Sequence, residues 1–122
     1  MNERLTIDAS SAIRKVLKRV LLQAEIPTGQ VYEASDGLEA IQRLKEQPVH
    51  LIFSDINMPN MDGLQFLSQV KNTPEWKHVP VVMVTTEGSQ AKVLEAIELG
   101  AIGYVRKPFT ADQIKEKLAG IL

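Results

Sequence analysis

Residues 51–63 read LIFSDINMPNMDG. The stretch opens as a short apolar run, Leu51-Ile52-Phe53, and ends abruptly in an acid, Asp55, followed by the turn-prone segment from Asn57 to Gly63. An apolar run of this length bounded by turn residues reads as a buried strand. A carboxylate at the end of such a strand needs a partner or a task, because an isolated buried charge is strongly unfavourable.

Working outward, "RLTID" at 4–8 reads as a strand, and Ser10 or Ser11 is placed to cap a helix whose face is Ile13, Val16, Leu17, Val20 and Leu21. Pro27 and Gly29 break that helix, "QVYEA" is strand-like, and "DGLEAIQRL" begins with Asp36 and Glu39 at capping-box spacing. Beyond the opening stretch, "GLQFLSQVK" is helical, "VPVVMVTT" strand-like, "SQAKVLEAIELG" helical with a glycine stop, "GYVRK" strand-like and "TADQIKEKLAGIL" helical. Strand and helix thus alternate five times. The runs at 51–53 and 79–84 are continuously apolar rather than alternating, which predicts strands covered on both faces, as in a parallel α/β sheet.

A chain of 122 residues is the size of one domain, here 1–122. The formal net charge of -1 gives no bulk attraction to nucleic acid or anionic lipid. The absence of cysteine excludes a disulfide framework, thiolate metal sites and a thiol nucleophile, and fits a cytoplasmic protein. "MNERLTID" lacks the apolar core of a signal peptide, and stretches such as "VPVVMV" fall well short of a membrane span.

In an open parallel sheet, ligands bind beyond the carboxyl ends of the strands. Asp8 closes the first predicted strand, Asp55 the third, Thr85 the fourth and Lys107 the fifth, so separate segments each deliver one polar group to the same edge. Singly, Asp55 reads as a turn cap, Thr85 as a β-branched strand residue and Lys107 as a solvated lysine. Together with Asn57, two residues past Asp55, they form a set suited to a hard cation and a phosphoryl group. A carboxylate attacks phosphorus to give an acyl phosphate when the charge on the transferring group is offset. In that scheme Asp55 is the nucleophile, Asp8 holds the cation through water and the Asn57 carbonyl ligates it. Thr85 and Lys107 take the phosphoryl oxygens.

The segments "TIDAS", "LIFSDINMPNMDG", "VVMVTTEG" and "GYVRKPF", in this order, resemble the receiver domain of two-component response regulators, whose simplest members are the chemotaxis regulators. The resemblance implies a flavodoxin-like (βα)5 three-layer sandwich with parallel strands in the order 2-1-3-4-5. It makes Asp55 the phospho-acceptor, Thr85 the switch hydroxyl, Tyr104 the aromatic switch, and Lys107 the lysine before a proline, Pro108, that is often cis in the family. The implied cofactor is magnesium, held by Asp8, Asp55 and Asn57. The implied donor is a histidine kinase or phosphotransfer protein, and the implied target site is the face of the fourth helix, fifth strand and fifth helix. A receiver is a signalling phospho-acceptor and at most catalyses its own phosphotransfer and dephosphorylation.

One position departs from the family pattern. Receivers usually carry two adjacent acids after the first strand, and here Asp8 is followed by Ala9; counting back from Arg14, Ala9 stands where a direct metal ligand is expected. Magnesium binding through Asp55, the Asn57 carbonyl and water should then be weaker, with Lys107 free to neutralise Asp55 directly. The alternative function is a pseudo-receiver docking module that works without phosphorylation. An aspartyl phosphatase would need an acid at Asn57, and a flavin carrier a glycine in "DASSAIRK". Arg14, Lys15, Lys18 and Arg19 read as one exposed basic side of the first helix, either a solvated face or a dock for an acidic kinase or phosphotransfer domain. Without a second basic cluster or interleaved aromatics, nucleic acid is not an expected partner. Glu87 is placed to rim the pocket, Trp76 reads as loop packing, and His50 and His78 read as surface residues that match no metal-ligand spacing.

Overall fold

Parallel pairing builds a five-stranded sheet in the order β2-β1-β3-β4-β5. The computed structural model describes residues 4–8, 10–23, 30–86, 90–107 and 109–119. The elements are β1 (Arg4–Ile7), α1 (Ser11–Gln23), β2 (Val31–Ala34), α2 (Gly37–Glu46), β3 (Leu51–Ser54), α3 (Gly63–Lys71), β4 (Val81–Thr85), α4 (Gln90–Glu98), β5 (Gly103–Arg106) and α5 (Ala111–Ala119). The chain steps from β1 outward to β2, then returns across β1 to β3. The reversal opens a crevice between the carboxyl ends of β1 and β3.

The continuous apolar strands are covered on both faces, as the sequence pattern predicts. Leu5, Ile7, Ile52, Val81 and Met83 pack against residues of α2, α3 and α4, among them Ala40, Ile41, Leu44, Phe66, Leu67 and Ala96. Phe53, Val82, Val84 and Val105 face the other way, onto Leu17, Val20 and Leu21 of α1 and Ile114 of α5. The result is a three-layer sandwich. Val16 departs from the predicted apolar face of α1: it is 39% exposed, because the helix buries the stripe through Leu17, Val20 and Leu21 instead. Trp76 packs, half-buried, on the α2–α3–α4 side of the core, and His50 and His78 are exposed.

Caps fix where the helices start and stop. The Ser10 hydroxyl accepts the Ile13 N–H at 3.3 Å, opening α1. Asp36 accepts the Glu39 N–H at 2.8 Å, but the Glu39 carboxylate turns to the backbone and hydroxyl of Ser35, so only half of the predicted box closes. Reciprocal boxes form at Asp62–Gln65 before α3 and at Thr110–Gln113 before α5. Gly100, with φ +112°, ends the α4 region as a left-handed stop, and the following Ala101 N–H reaches back to the Ala96 carbonyl at 3.0 Å. Pro27, Gly29, Glu87 and Pro108 lie outside the described residues.

The Glu39 backbone N–H, and after it the Asn60 side-chain amide, hold the Asp36 carboxyl below its ordinary value of 3.8. A depressed carboxyl contributes stability above its unfolded-state pKa and loses it as pH falls through the folded-state value. Asp36→Ala should therefore lower unfolding stability by about 1 kcal/mol at neutral pH, the usual loss for an acidic N-cap. Urea titrations at neutral pH and again well below 3.8 should show that gap narrowing in acid.

Candidate functional site

The site forms where β1 and β3 leave the sheet together. Asp55 N–H donates to the Ile7 carbonyl at 2.9 Å, and Asp8 N–H to the Ala34 carbonyl at 3.1 Å, so both acids are carried by the last rungs of the sheet. Each is nearly buried, with 3% of Asp8 and 8% of Asp55 exposed. In both, Oδ1 is occupied locally: Ser10 N–H donates to Asp8 at 2.9 Å, and Ile56 N–H to Asp55 at 2.7 Å. These bonds aim each Oδ2 into the crevice.

Lys107 meets them there. Its backbone N–H donates to the Thr85 carbonyl at 2.9 Å, continuing the β4–β5 ladder and setting the start of the side chain. Its ammonium donates to Asp8 Oδ2 and, at 3.3 Å, to Asp55 Oδ2. The three side chains are only 10%, 4% and 10% exposed for Lys107, Asp8 and Asp55. One ammonium faces two carboxylates, so the cluster carries an excess negative charge in a poorly hydrated place.

Two further contacts fix the acids. Arg14 donates from Nη1 to the Asp8 carbonyl at 2.5 Å and from Nε to Glu33 at 2.9 Å, tying α1 to the ends of β1 and β2. Arg14 therefore does not belong to a solvated basic face; Lys15, Lys18 and Arg19 remain exposed on α1. On the Asp55 side, Ser54 is fully buried and its hydroxyl donates to the Asp55 carbonyl at 2.9 Å. Gly63 donates to the Ile56 carbonyl at 2.7 Å, and a Cβ built there would stand 1.9 Å from the Asp55 carbonyl oxygen. Only glycine lets α3 start so close to the acid.

Asp8, Asp55 and Lys107 are thus brought into direct contact. Thr85 is fully buried as the last residue of β4, beside Lys107 through the backbone. Asn57 is exposed on the loop after Asp55, and Tyr104 is half-buried on the β5 face that packs toward α2, α3 and α4. Ala9 lies outside the described residues. Residue order pointed to the acids and the lysine. It gave no sign of Arg14 on the Asp8 carbonyl or of the Gly63 approach, because both depend on which helix face meets the strand ends.

The donor set fits a hard divalent cation. Two carboxylate oxygens already converge on one ammonium, and oxygen donors of this kind suit magnesium, which commonly takes one or two carboxylates and completes its shell with water. Among the described residues no third His, Cys, Asp or Glu joins them, so the protein supplies a partial shell. A concavity of about 540 Å³ lies at the opposite edge of the sheet, lined by residues 44–50 with Glu75, Trp76, His78 and Val79. No helix among the described residues is long and apolar enough to cross a membrane.

Comparison with known proteins agrees with this geometry. Residues 5–119 match the response regulator receiver domain. The chain is 38% identical over 114 residues to chemotaxis protein CheY-3 of Vibrio cholerae, covering 93% of this chain and 86% of that one. Its fold superposes on the crystallised chemotaxis response regulator CheY4 of Vibrio cholerae with a TM-score of 0.88 and 34% identity, covering 100% of this chain and 99% of that one. The Mn(2+)-bound form of response regulator Rcp1 superposes with a TM-score of 0.83 and 28% identity, over 99% and 91% of the two chains.

The geometry yields two expectations. Lys107→Met should lower stability by about 3 kcal/mol by leaving two buried carboxylates without a cation. Millimolar magnesium should then raise the melting temperature of the variant more than that of the unaltered protein, where the ammonium competes; differential scanning fluorimetry checks both. Gly63→Ala should cost at least about 2 kcal/mol in urea unfolding, since either the Asp55 backbone or α3 must shift.

Proposed function

Since the chain belongs to the response regulator receiver family, we propose that it is a signalling phospho-acceptor that takes a phosphoryl group on Asp55 from a phosphohistidine of a kinase or phosphotransfer protein. The observation that carries this reading is the convergence of Lys107 on both Asp8 and Asp55 at the carboxyl edge of the sheet. The whole chain acts as one receiver unit in the cytoplasm.

A carboxylate oxygen of Asp55 attacks phosphorus; the phosphorus–nitrogen bond breaks, and the departing imidazole nitrogen takes a proton from water. Lys107, held against the Asp55 carboxylate, offsets charge on the transferring group. Thr85 supplies a hydroxyl to a phosphoryl oxygen. Asp8, Asp55 and the Asn57 carbonyl would hold a magnesium ion, Asp8 through water, and the ion would supply positive charge to offset that on the phosphoryl oxygens. That response regulator Rcp1 has a Mn(2+)-bound form supports a divalent cation as the cofactor.

The new acyl phosphate then biases a two-state equilibrium in which Thr85 and Tyr104 move together. The surface that changes is that of α4, β5 and α5. Leu94, Ile97 and Ile102, exposed by 53%, 47% and 49%, give this side apolar surface for a protein target. Lys15, Lys18 and Arg19 offer an acidic donor protein a complementary approach along α1.

Ala9 favours a second reading, in which the fold docks partners without phosphorylation. It replaces an acid that the family pattern places beside Asp8, and it weakens magnesium binding. Intact mass after incubation with a small acyl phosphate, with and without millimolar magnesium, separates the two readings. A phosphate-sized increase that Asp55→Asn abolishes is expected, with Ala9→Asp lowering the magnesium needed. No adduct on the unaltered chain, and one on Ala9→Asp, would overturn phospho-acceptance and leave the docking module.

A further inference from the structure

The loop between Asp55 and α3 is tied to the amino end of α2. Asn60, in the middle of this loop, has φ +66° and is the one non-glycine residue with positive φ among those described. A left-handed asparagine costs backbone energy that a compensating contact must offset. Its side-chain amide donates to Asp36 Oδ2 at 2.8 Å, while Asp36 Oδ1 caps α2. Beside this bond the Gly37 N–H donates to the Met61 carbonyl at 3.1 Å, and the Met61 side chain lies so close that a Cβ on Gly37 would meet its Cγ at 2.6 Å.

The loop is therefore held at three places. Its start is pinned by Ile56 N–H on Asp55 Oδ1, its end by Gly63 N–H on the Ile56 carbonyl, and its crest by the amino end of α2. Asn57, whose carbonyl faces the metal in the proposed site, lies between the first and third of these and is exposed, with Met58 beside it packed on the core. Without the crest contact the segment from Asn57 to Met61 would keep only the packing of Met58 and Met61 on the core, and a carbonyl on a loosened loop is a poorer ligand.

We infer that Asp36, through Asn60, is a positioning residue: it sets the loop that carries the Asn57 carbonyl, and so tunes cation binding beside Asp55 from the amino end of α2. Asp36 here does two separable jobs, one carboxylate oxygen capping α2 and the other steering the loop. The inference rests on the phospho-acceptor reading.

Two variants separate the jobs. Asn60→Gly keeps the left-handed backbone and removes the tether, and Asp36→Ser keeps a helix cap and cannot reach Asn60. Each should raise the magnesium concentration for half-maximal phosphorylation by a small acyl phosphate roughly tenfold, the usual scale for losing an outer contact of a metal site, and the rate at saturating magnesium should hold. The double variant should match the singles, since both remove one bond. Hydrogen exchange at the Ile56 and Gly63 amides, measured without magnesium, should accelerate in all three. A fall in melting temperature with an unchanged magnesium midpoint would overturn the positioning role and leave a structural one. If the unaltered chain forms no adduct at any magnesium concentration, the phospho-acceptor reading fails, and the exchange data decide the tether alone: faster exchange sustains it, unchanged exchange refutes it.

Discussion

Everything at the carboxyl edge of this sheet depends on one under-neutralised charge. Two carboxylates, each fixed by a backbone N–H to one of its oxygens, share a single lysine ammonium in a nearly buried crevice. Burial makes such a cluster expensive if any member is lost, and the missing unit of positive charge makes it receptive to a cation. The same imbalance that would be a defect in a purely structural ion pair leaves oxygen donors open to a hard cation. The protein resolves the tension geometrically. It spends one oxygen of each acid on fixed orientation and leaves the other facing the gap.

Much of this was legible in the order of residues. The continuous apolar strands at 51–53 and 79–84 announced a sheet with two covered faces, and the polar residues after the strands announced an edge with chemistry. Asp8, Asp55 and Lys107 could be found because strand ends are positions that a parallel topology superimposes. Arg14 could not be told from its basic neighbours, since its role follows from the exact turn of α1 against β1 and β2, a difference of one residue in helical phase. Val16 was misplaced for the same reason: apolar spacing leaves the edge of a helical stripe undetermined. The half-closed cap at Asp36 shows a second limit. Local spacing allowed Glu39 to fold back on the cap, but Ser35 offered it both a backbone N–H and a hydroxyl, and Asn60 took the free oxygen of Asp36 from across the chain.

The glycines at 37 and 63 belong to the same account. Both open helices, and in both a side chain would collide with the loop that joins Asp55 to α3. The acid is thus framed by two helix starts that come closer to it and its loop than any residue with a side chain permits. Small residues here are the means by which a rigid frame reaches the Asp55 carboxylate.

The bond between Lys107 and Asp8 joins residues 99 positions apart. A chain emerging from the ribosome has Asp8 and Asp55 in hand long before the fifth strand exists, and until then the acids lack the cation that holds them. A nascent or truncated chain that stops short of β5 therefore cannot form the assembled cluster. The wiring of the edge makes synthesis through β5 a condition for assembling the cluster at all.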